Sequence, residues 1–210
     1  MIRVMLVDDH ELVRTGVRRL LDDFDDIDVV IDACSGEEAL SLIRECSPDV
    51  VLMDVNMPGI GGVEATRKLL KLVPGLSIIA VTAHGEQPFP SRLLEAGAKG
   101  YITKECSSDE IAAAIRMAAK GEFYFSAQIA QEMAVNFASE GKSPFDGLSQ
   151  REWQIMTMIS RGDKVQEIAD SLCLSPKTVS TYRYRLMEKL KVNTDVELTH
   201  LAIRHGIVDA

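Results

Sequence analysis

The sequence predicts two domains: a doubly wound α/β domain built on a five-stranded parallel sheet, then a small all-α domain carrying a helix-turn-helix. Three observations carry this. Short β-branched runs alternate with helical patterns over the first 120 residues, which is the signature of repeated βα units. After a stretch rich in Ser, Gly and Pro, SEGKSPFDG, no further strand pattern occurs. Charge is divided unevenly: residues 1–121 hold 13 Lys/Arg against 20 Asp/Glu, a net of −7, whereas 143–210 hold 9 of each.

The strand runs are 2–7, 27–32, 49–53, 76–82 and 99–102. Runs as apolar as VVLM fit a sheet covered on both faces. Helical patterns fall between and after them at 11–22, 36–46, 62–72, 88–97 and 108–120. Ser35 with Glu38 and Ser107 with Glu110 have the spacing of capping boxes. The expected boundaries are 1–120 for the first domain, 121–146 for a linker with an amphipathic helix near 126–138, and 147–210 for the second domain.

Four short helices are expected in the second domain, at 149–160, 165–172, 176–190 and 195–205. Ser149 with Glu152 and Thr194 with Glu197 repeat the capping spacing, and Ser175-Pro176 is an N-cap followed by proline at the first helical position. Glu167, Ile168, Ala169 and Leu172 are expected to form the inner face of the second of these helices. Val179, Tyr182, Leu186 and Leu190 recur along the third at helical spacing, a single buried stripe. Lys177, Ser180, Thr181 and Tyr184 point away from it, and segment 177–191 carries five cations against Glu188 alone.

The totals exclude other classes. No stretch approaches the roughly 18 apolar residues of a membrane span, and the acidic MIRVMLVDDH start does not read as a signal peptide. A cytoplasmic protein with no membrane partner is expected. The four cysteines and four histidines are scattered, so no sulfur- or imidazole-based metal site is expected. A net charge of −9 argues against a general nucleic-acid coat.

Ligands of parallel α/β sheets sit at the carboxyl ends of the strands. There the sequence places Asp8 and Asp9 after the first strand, Asp54 at the end of the third, Thr82 at the end of the fourth and Lys104 after the fifth. Three clustered carboxylates repel one another and call for a divalent cation; an all-oxygen site with few protein ligands suits Mg²⁺. The chemistry expected is phosphoryl transfer onto Asp54, with Lys104 and Thr82 contacting the phosphoryl oxygens.

The motifs VDDHELVR (7–14), LMDVNMPGIGG (52–62), AVTAH (80–84) and GAKGYITK (97–104) closely resemble those of the flavodoxin-like receiver domain of two-component response regulators. The resemblance implies Asp54 as phosphoacceptor, Asp9 and Asp54 as direct Mg²⁺ ligands, Asp8 acting through water and the Asn56 carbonyl completing the set. It implies that Thr82 and Tyr101 are a switch pair, Tyr101 turning inward once Asp54 is phosphorylated. The catalytic role is confined to the domain's own phosphoryl transfer and dephosphorylation. An aspartyl-phosphate phosphohydrolase is the rival, but it needs an acid two residues after its nucleophile, where this chain has Asn56.

LSQREWQIM (148–156), EIADSLCLSPKTV (167–179) and MEKLKV (187–192) resemble the LuxR-type helix-turn-helix of the NarL/FixJ response regulators, and KVQEIAD, SPKTV, YRYR and DVELTHLAIRHG look most like the GacA/UvrY subgroup. This implies a recognition helix over 176–190 in the major groove of double-stranded promoter DNA. Ser180, Thr181 and Tyr184 would face bases, and Lys177, Thr178, Arg183 and Lys189 would contact phosphates. A hybrid sensor histidine kinase or phosphotransfer domain as phosphodonor, a homodimer as the active form, and small regulatory RNA genes as targets are further implications. Ser180 and Tyr182 depart from a lysine and a histidine frequent in that family, and Lys164 from a helix-capping Ser or Thr. The alternative is a receiver whose helical domain binds a protein.

Overall fold

The computed structural model describes residues 1–82, 90–126, 129–131, 144–172, 174–205 and 207–208. The chain divides into two compact units, Met1–Ser139 and Glu140–Ala210.

In the first unit, β1 (Ile2–Val7), α1 (Glu11–Leu21), β2 (Ile27–Ala33), α2 (Gly36–Cys46), β3 (Val50–Asp54), α3 (Gly61–Leu72), β4 (Ser77–Thr82), α4 (Pro90–Glu95), β5 (Gly100–Thr103) and α5 (Ser108–Ala119) follow in turn. All strand pairs are parallel, in the order β2-β1-β3-β4-β5 with β6 (Tyr124–Phe125) beyond β5. Alternation along the strands sends side chains to opposite faces. Val4, Leu6, Val50, Leu52, Ile79 and Ile102 pack with Ile111 and Ile115 of α5. Met5, Val7, Val51, Met53 and Ile78 pack with Ile43 of α2 and Leu69 of α3. Each such side chain fully buried contributes about 1.5–3 kcal/mol, so the sheet is held from both sides.

β6 is the element that the sequence reading lacks. It pairs Gly100 with Tyr124 and Tyr101 with Phe125, and two residues are too few to show a period. The aromatic run EFYF after α5 is its only local signal. Most of the amphipathic segment near 126–138 lies outside the described residues, as do 88 and 89 at the start of the expected fourth helix.

In the second unit a 3₁₀ turn (Pro144–Gly147) leads into α6 (Gln150–Ser160), α7 (Val165–Ser171), α8 (Pro176–Leu190) and α9 (Asp195–Arg204). Phe145, which the sequence places in the linker, is fully buried. Its ring meets Trp153 and His205 edge-on, with centroids 5.7 and 5.4 Å away. Ser107 and Ser149 form complete capping boxes with Glu110 and Glu152. Ser35 and Thr194 accept from the backbone of Glu38 and Glu197, but those carboxylates reach one residue further back, to the N–H groups of Cys34 and Asn193. At α7 Glu167 accepts from the Lys164 backbone N–H. This corrects the expectation for Glu167, which is exposed and caps its helix rather than joining the inner face.

Candidate functional site

The carboxyl ends of β1, β3, β4 and β5 converge. Asp54 ends β3 and is 2% exposed. Gly62 at the start of α3 lets that helix close on it: a Cβ at Gly62 would stand 2.1 Å from the Asp54 carbonyl oxygen. The Gly62 N–H donates to the Val55 carbonyl (3.1 Å), and the Asn56 N–H donates to Asp54 Oδ1 (3.1 Å).

Lys104 Nζ bridges two acids, 2.7 Å from Asp8 Oδ2 and 2.9 Å from Asp54 Oδ2. Its backbone N–H donates to the Thr82 carbonyl at 2.7 Å, which binds the ends of β4 and β5 together. Burial, then repulsion from Asp8, pushes the Asp54 carboxyl up, outweighing Lys104 and the Asn56 N–H. Burial opposes the Lys104 ammonium, yet hydrogen bonds and attraction from Asp8 and Asp54 leave its pKa raised.

Asp9 completes the acidic group. Its Oδ1 is buried and lies 3.0 Å from His10 Nδ1, without the geometry of a hydrogen bond and with no other partner. Arg14, absent from the sequence-based site, donates to the Asp8 carbonyl (2.7 Å) and to Asp32 Oδ2 (2.9 Å). It therefore positions the turn that bears Asp8. Helical spacing could have put Arg14 on the side of α1 facing this turn, but nothing in the sequence gives it a carbonyl to hold.

Asp8, Asp9, Asp54 and Lys104 thus lie together, with the Asn56 backbone on Asp54 and Thr82 buried at the end of β4. Tyr101 is elsewhere, in a cluster with Val55, Val63, Ala80, Leu93 and Ala98. The sequence reading has it turn inward only after phosphorylation. In this structure the ring lies inside, 3% exposed, where β5 directs it against the apolar lining between α3 and α4.

The basic helix α8 buries Val179, Leu186 and Leu190, with Tyr182 half-buried. Lys177, Ser180, Thr181, Tyr184 and Arg185 are exposed on the other side, Tyr184 by 71%. The Ser180 and Thr181 hydroxyls donate back to the carbonyls of Pro176 and Lys177, both at 2.9 Å. Their oxygens keep acceptor capacity toward solvent. Thr178 sits in the cap, its N–H donating to Ser175 Oγ at 3.1 Å.

Two of the expected phosphate contacts are engaged inside the unit. Arg183 makes a bidentate pair with Asp195 at 2.8 Å for each bond. Lys189 Nζ donates to Glu152 Oε2 at 2.7 Å and to the Gly147 carbonyl at 3.0 Å. These bonds hold α8 against α9, α6 and the 3₁₀ turn. The sign of the two charges is legible in the sequence, but the partners that use them are not.

Burial acts against the Glu152 carboxylate, but Lys189 and the capping bonds from Ser149 hold its pKa below the ordinary value. A depressed carboxyl contributes stability that is fully present above its unfolded pKa, about 4.3, and lost as pH falls through its folded value. Glu152→Gln is therefore expected to lower the melting temperature at pH 7, with the gap from wild type closing toward pH 3. A gap that does not depend on pH would exclude the charged pair as its source.

With this geometry in place, likeness to known proteins is specific. Residues 4–116 match the response regulator receiver domain, and residues 146–202 match the luxR family of bacterial regulatory proteins. The chain is 58% identical to the response regulator GacA of Pseudomonas protegens, over 100% of this chain and 99% of GacA. It is 52% identical to the response regulator UvrY of Escherichia coli K12, over 100% of this chain and 97% of UvrY. A crystal structure of a LuxR-family two-component response regulator from Aurantimonas sp. superposes with a TM-score of 0.62 at 41% identity, covering 65% of this chain and 98% of that one. The chain belongs to the response regulators that join a receiver domain to a luxR-family regulatory domain, and it is similar to GacA and UvrY along its whole length.

Proposed function

We propose that this response regulator receives a phosphoryl group on Asp54 in the cytoplasm from a hybrid sensor kinase or phosphotransfer domain, and answers by binding promoter DNA as a homodimer through α8. The observation that carries this reading is the convergence of three carboxylates and Lys104 on the rim of the sheet, in a chain that also presents an exposed polar and basic helix. Small regulatory RNA genes are the target class that the likeness to GacA and UvrY suggests.

Mg²⁺ fits the donor set. All ligand atoms of the acids are hard oxygens, one of them buried without a hydrogen bond, and one ammonium cannot balance three carboxylates. Asp9, Asp54 and the Asn56 carbonyl would hold it, with Asp8 acting through water, and the ion would supply charge neutralisation. Asp54 is the in-line nucleophile. Lys104, already 2.9 Å from Asp54 Oδ2, offsets negative charge on the phosphoryl oxygens, and Thr82 donates to them. No residue is placed as an acid/base partner two positions after Asp54, so the chemistry ends at the receiver's own acyl phosphate.

On α8, Ser180, Thr181 and Tyr184 read bases, while Lys177, Thr178 and Arg185 are the groups best placed for phosphates. Arg183 and Lys189 reach the backbone only by sharing or leaving their acid partners. The test is operator binding by the full-length protein with and without beryllofluoride. The mimic is expected to raise affinity, and an unchanged affinity with Asp54 demonstrably occupied would overturn the reading. Tyr184→Ala is expected to cost about 1–3 kcal/mol on the operator and much less on random duplex. Equal losses on the two would make Tyr184 a positioning group.

A further inference from the structure

Two hydroxyl groups on the outward side of α8 have already committed their protons. Ser180 Oγ donates to the Pro176 carbonyl and Thr181 Oγ1 to the Lys177 carbonyl, each at 2.9 Å. A carbonyl oxygen has no proton to give, so each hydroxyl's single hydrogen lies in that bond and two lone pairs remain. Both residues are exposed, on the side of the helix opposite the buried Val179, Leu186 and Leu190. Thr178 differs: it is half-buried, and its Oγ1 lies 2.8 Å from Ser175 Oγ, where either oxygen can donate. Lys177 and Arg185, also exposed, can only donate. The outward side therefore holds fixed acceptors at 180 and 181, with the Glu188 carboxylate roughly two turns further along.

We propose, resting on the reading of α8 as the base-reading helix, that Ser180 and Thr181 act as acceptors and select bases that carry an exocyclic amino group in the major groove. Adenine presents N6–H₂ there and cytosine N4–H₂, whereas guanine and thymine present acceptors on the strand being read. An amino group adds a hydrogen bond to one that the helix keeps. Turning either hydroxyl to donate to guanine or thymine breaks its bond to the carbonyl and replaces it with one of the same kind, so nothing is gained.

The spacing extends the selection to two bases. Successive helical residues stand about 1.5 Å apart along the axis and roughly 100° apart around it. Ser180 and Thr181 therefore diverge, and each addresses its own base rather than gripping one in a bidentate pair. Guanine or thymine at either place sets acceptor against acceptor and strips water from both. Wrong sequences are thus penalised as well as right ones favoured. Each protomer prefers adenine or cytosine at two nearby positions of its half-site.

The experiment uses full-length protein with beryllofluoride and compares wild type with Ser180→Ala and Thr181→Val, each checked for an unchanged circular dichroism spectrum. Wild type first selects duplexes from a pool with a randomised core. In the selected duplex, purine then replaces each adenine and 2-pyrimidinone each cytosine, one at a time, which deletes the amino group alone. The 7-deaza purines delete the N7 acceptor in a parallel set. Comparing proteins on the same altered duplex cancels the effect of the change on the DNA itself. At one or more positions the amino deletion is expected to cost wild type about fivefold or more in affinity, and one of the variants about twofold or less. If the variants change base preference but respond to every amino deletion as wild type does, or lose sensitivity to N7 instead, the acceptor role is overturned and base reading by α8 stands. Variants that select the same sequences at wild-type affinity would show that these hydroxyls meet no base, which overturns their base-reading role and this proposal together.

Discussion

Asp54→Asn is expected to abolish acid-labile phosphate incorporation from acetyl phosphate, a loss of the whole signal rather than a fraction of it. The amide is nearly isosteric and has no carboxylate lone pair to form the acyl phosphate. The fold should survive, because the substitution removes a buried charge that Asp8 already repels. What it forfeits is one of the two acceptors of Lys104, and Asp8 Oδ2 at 2.7 Å keeps the other. Radiolabel incorporation and a melting curve on the same preparation check both halves. Labelling that persists at wild-type levels would place the nucleophile elsewhere.

Gly62→Ala is expected to damage the receiver more than any surface change near the site. The added methyl would stand 2.1 Å from the Asp54 carbonyl oxygen and 2.8 Å from Val55 Cα, and both are backbone atoms that cannot rotate away. Either α3 retreats or the end of β3 bends. Overpacking of this kind costs about 3 kcal/mol, and here the strain falls on Asp54, the nucleophile proposed above. Denaturant unfolding of the receiver should register the loss, and phosphorylation should slow even at temperatures where the variant remains folded. Wild-type values for both would mean that the helix has room to move.

The receiver was legible because its signals are periodic or pinned to strand ends. Val4 and Leu6 on one face and Met5 and Val7 on the other follow from alternation alone. Asp8, Asp54, Thr82 and Lys104 could be placed together because a parallel sheet delivers every strand terminus to the same rim. Interactions between distant residues were not legible. Nothing in the spacing of Lys189 tells that Glu152, 37 positions earlier, claims it. A cation on an exposed helix looks the same whether its partner is a phosphate or a carboxylate.

Elements too short for a period were also missed. Tyr124–Phe125 extends the sheet past residue 120 and Phe145 starts the second core before 147, so composition overstated the linker at both ends. For Tyr101 the direction of the ring depends on the packing of Val63, Leu93 and Ala98 around it, a tertiary fact that a motif cannot carry.

The brief sixth strand has a consequence for solubility. An uncovered parallel edge presents unpaired amides and carbonyls to any other chain, an invitation to self-association that proteins avoid by covering or shortening such edges. Tyr124 and Phe125 occupy that position on β5: the Tyr124 N–H donates to the Lys99 carbonyl at 3.0 Å and the Ser126 N–H to the Tyr101 carbonyl at 3.4 Å. A receiver fragment cut at residue 120, where the sequence pattern invites the cut, would lay open the β5 edge beside the buried Tyr101 ring. Six further residues, as far as Ser126, restore the guard against aggregation.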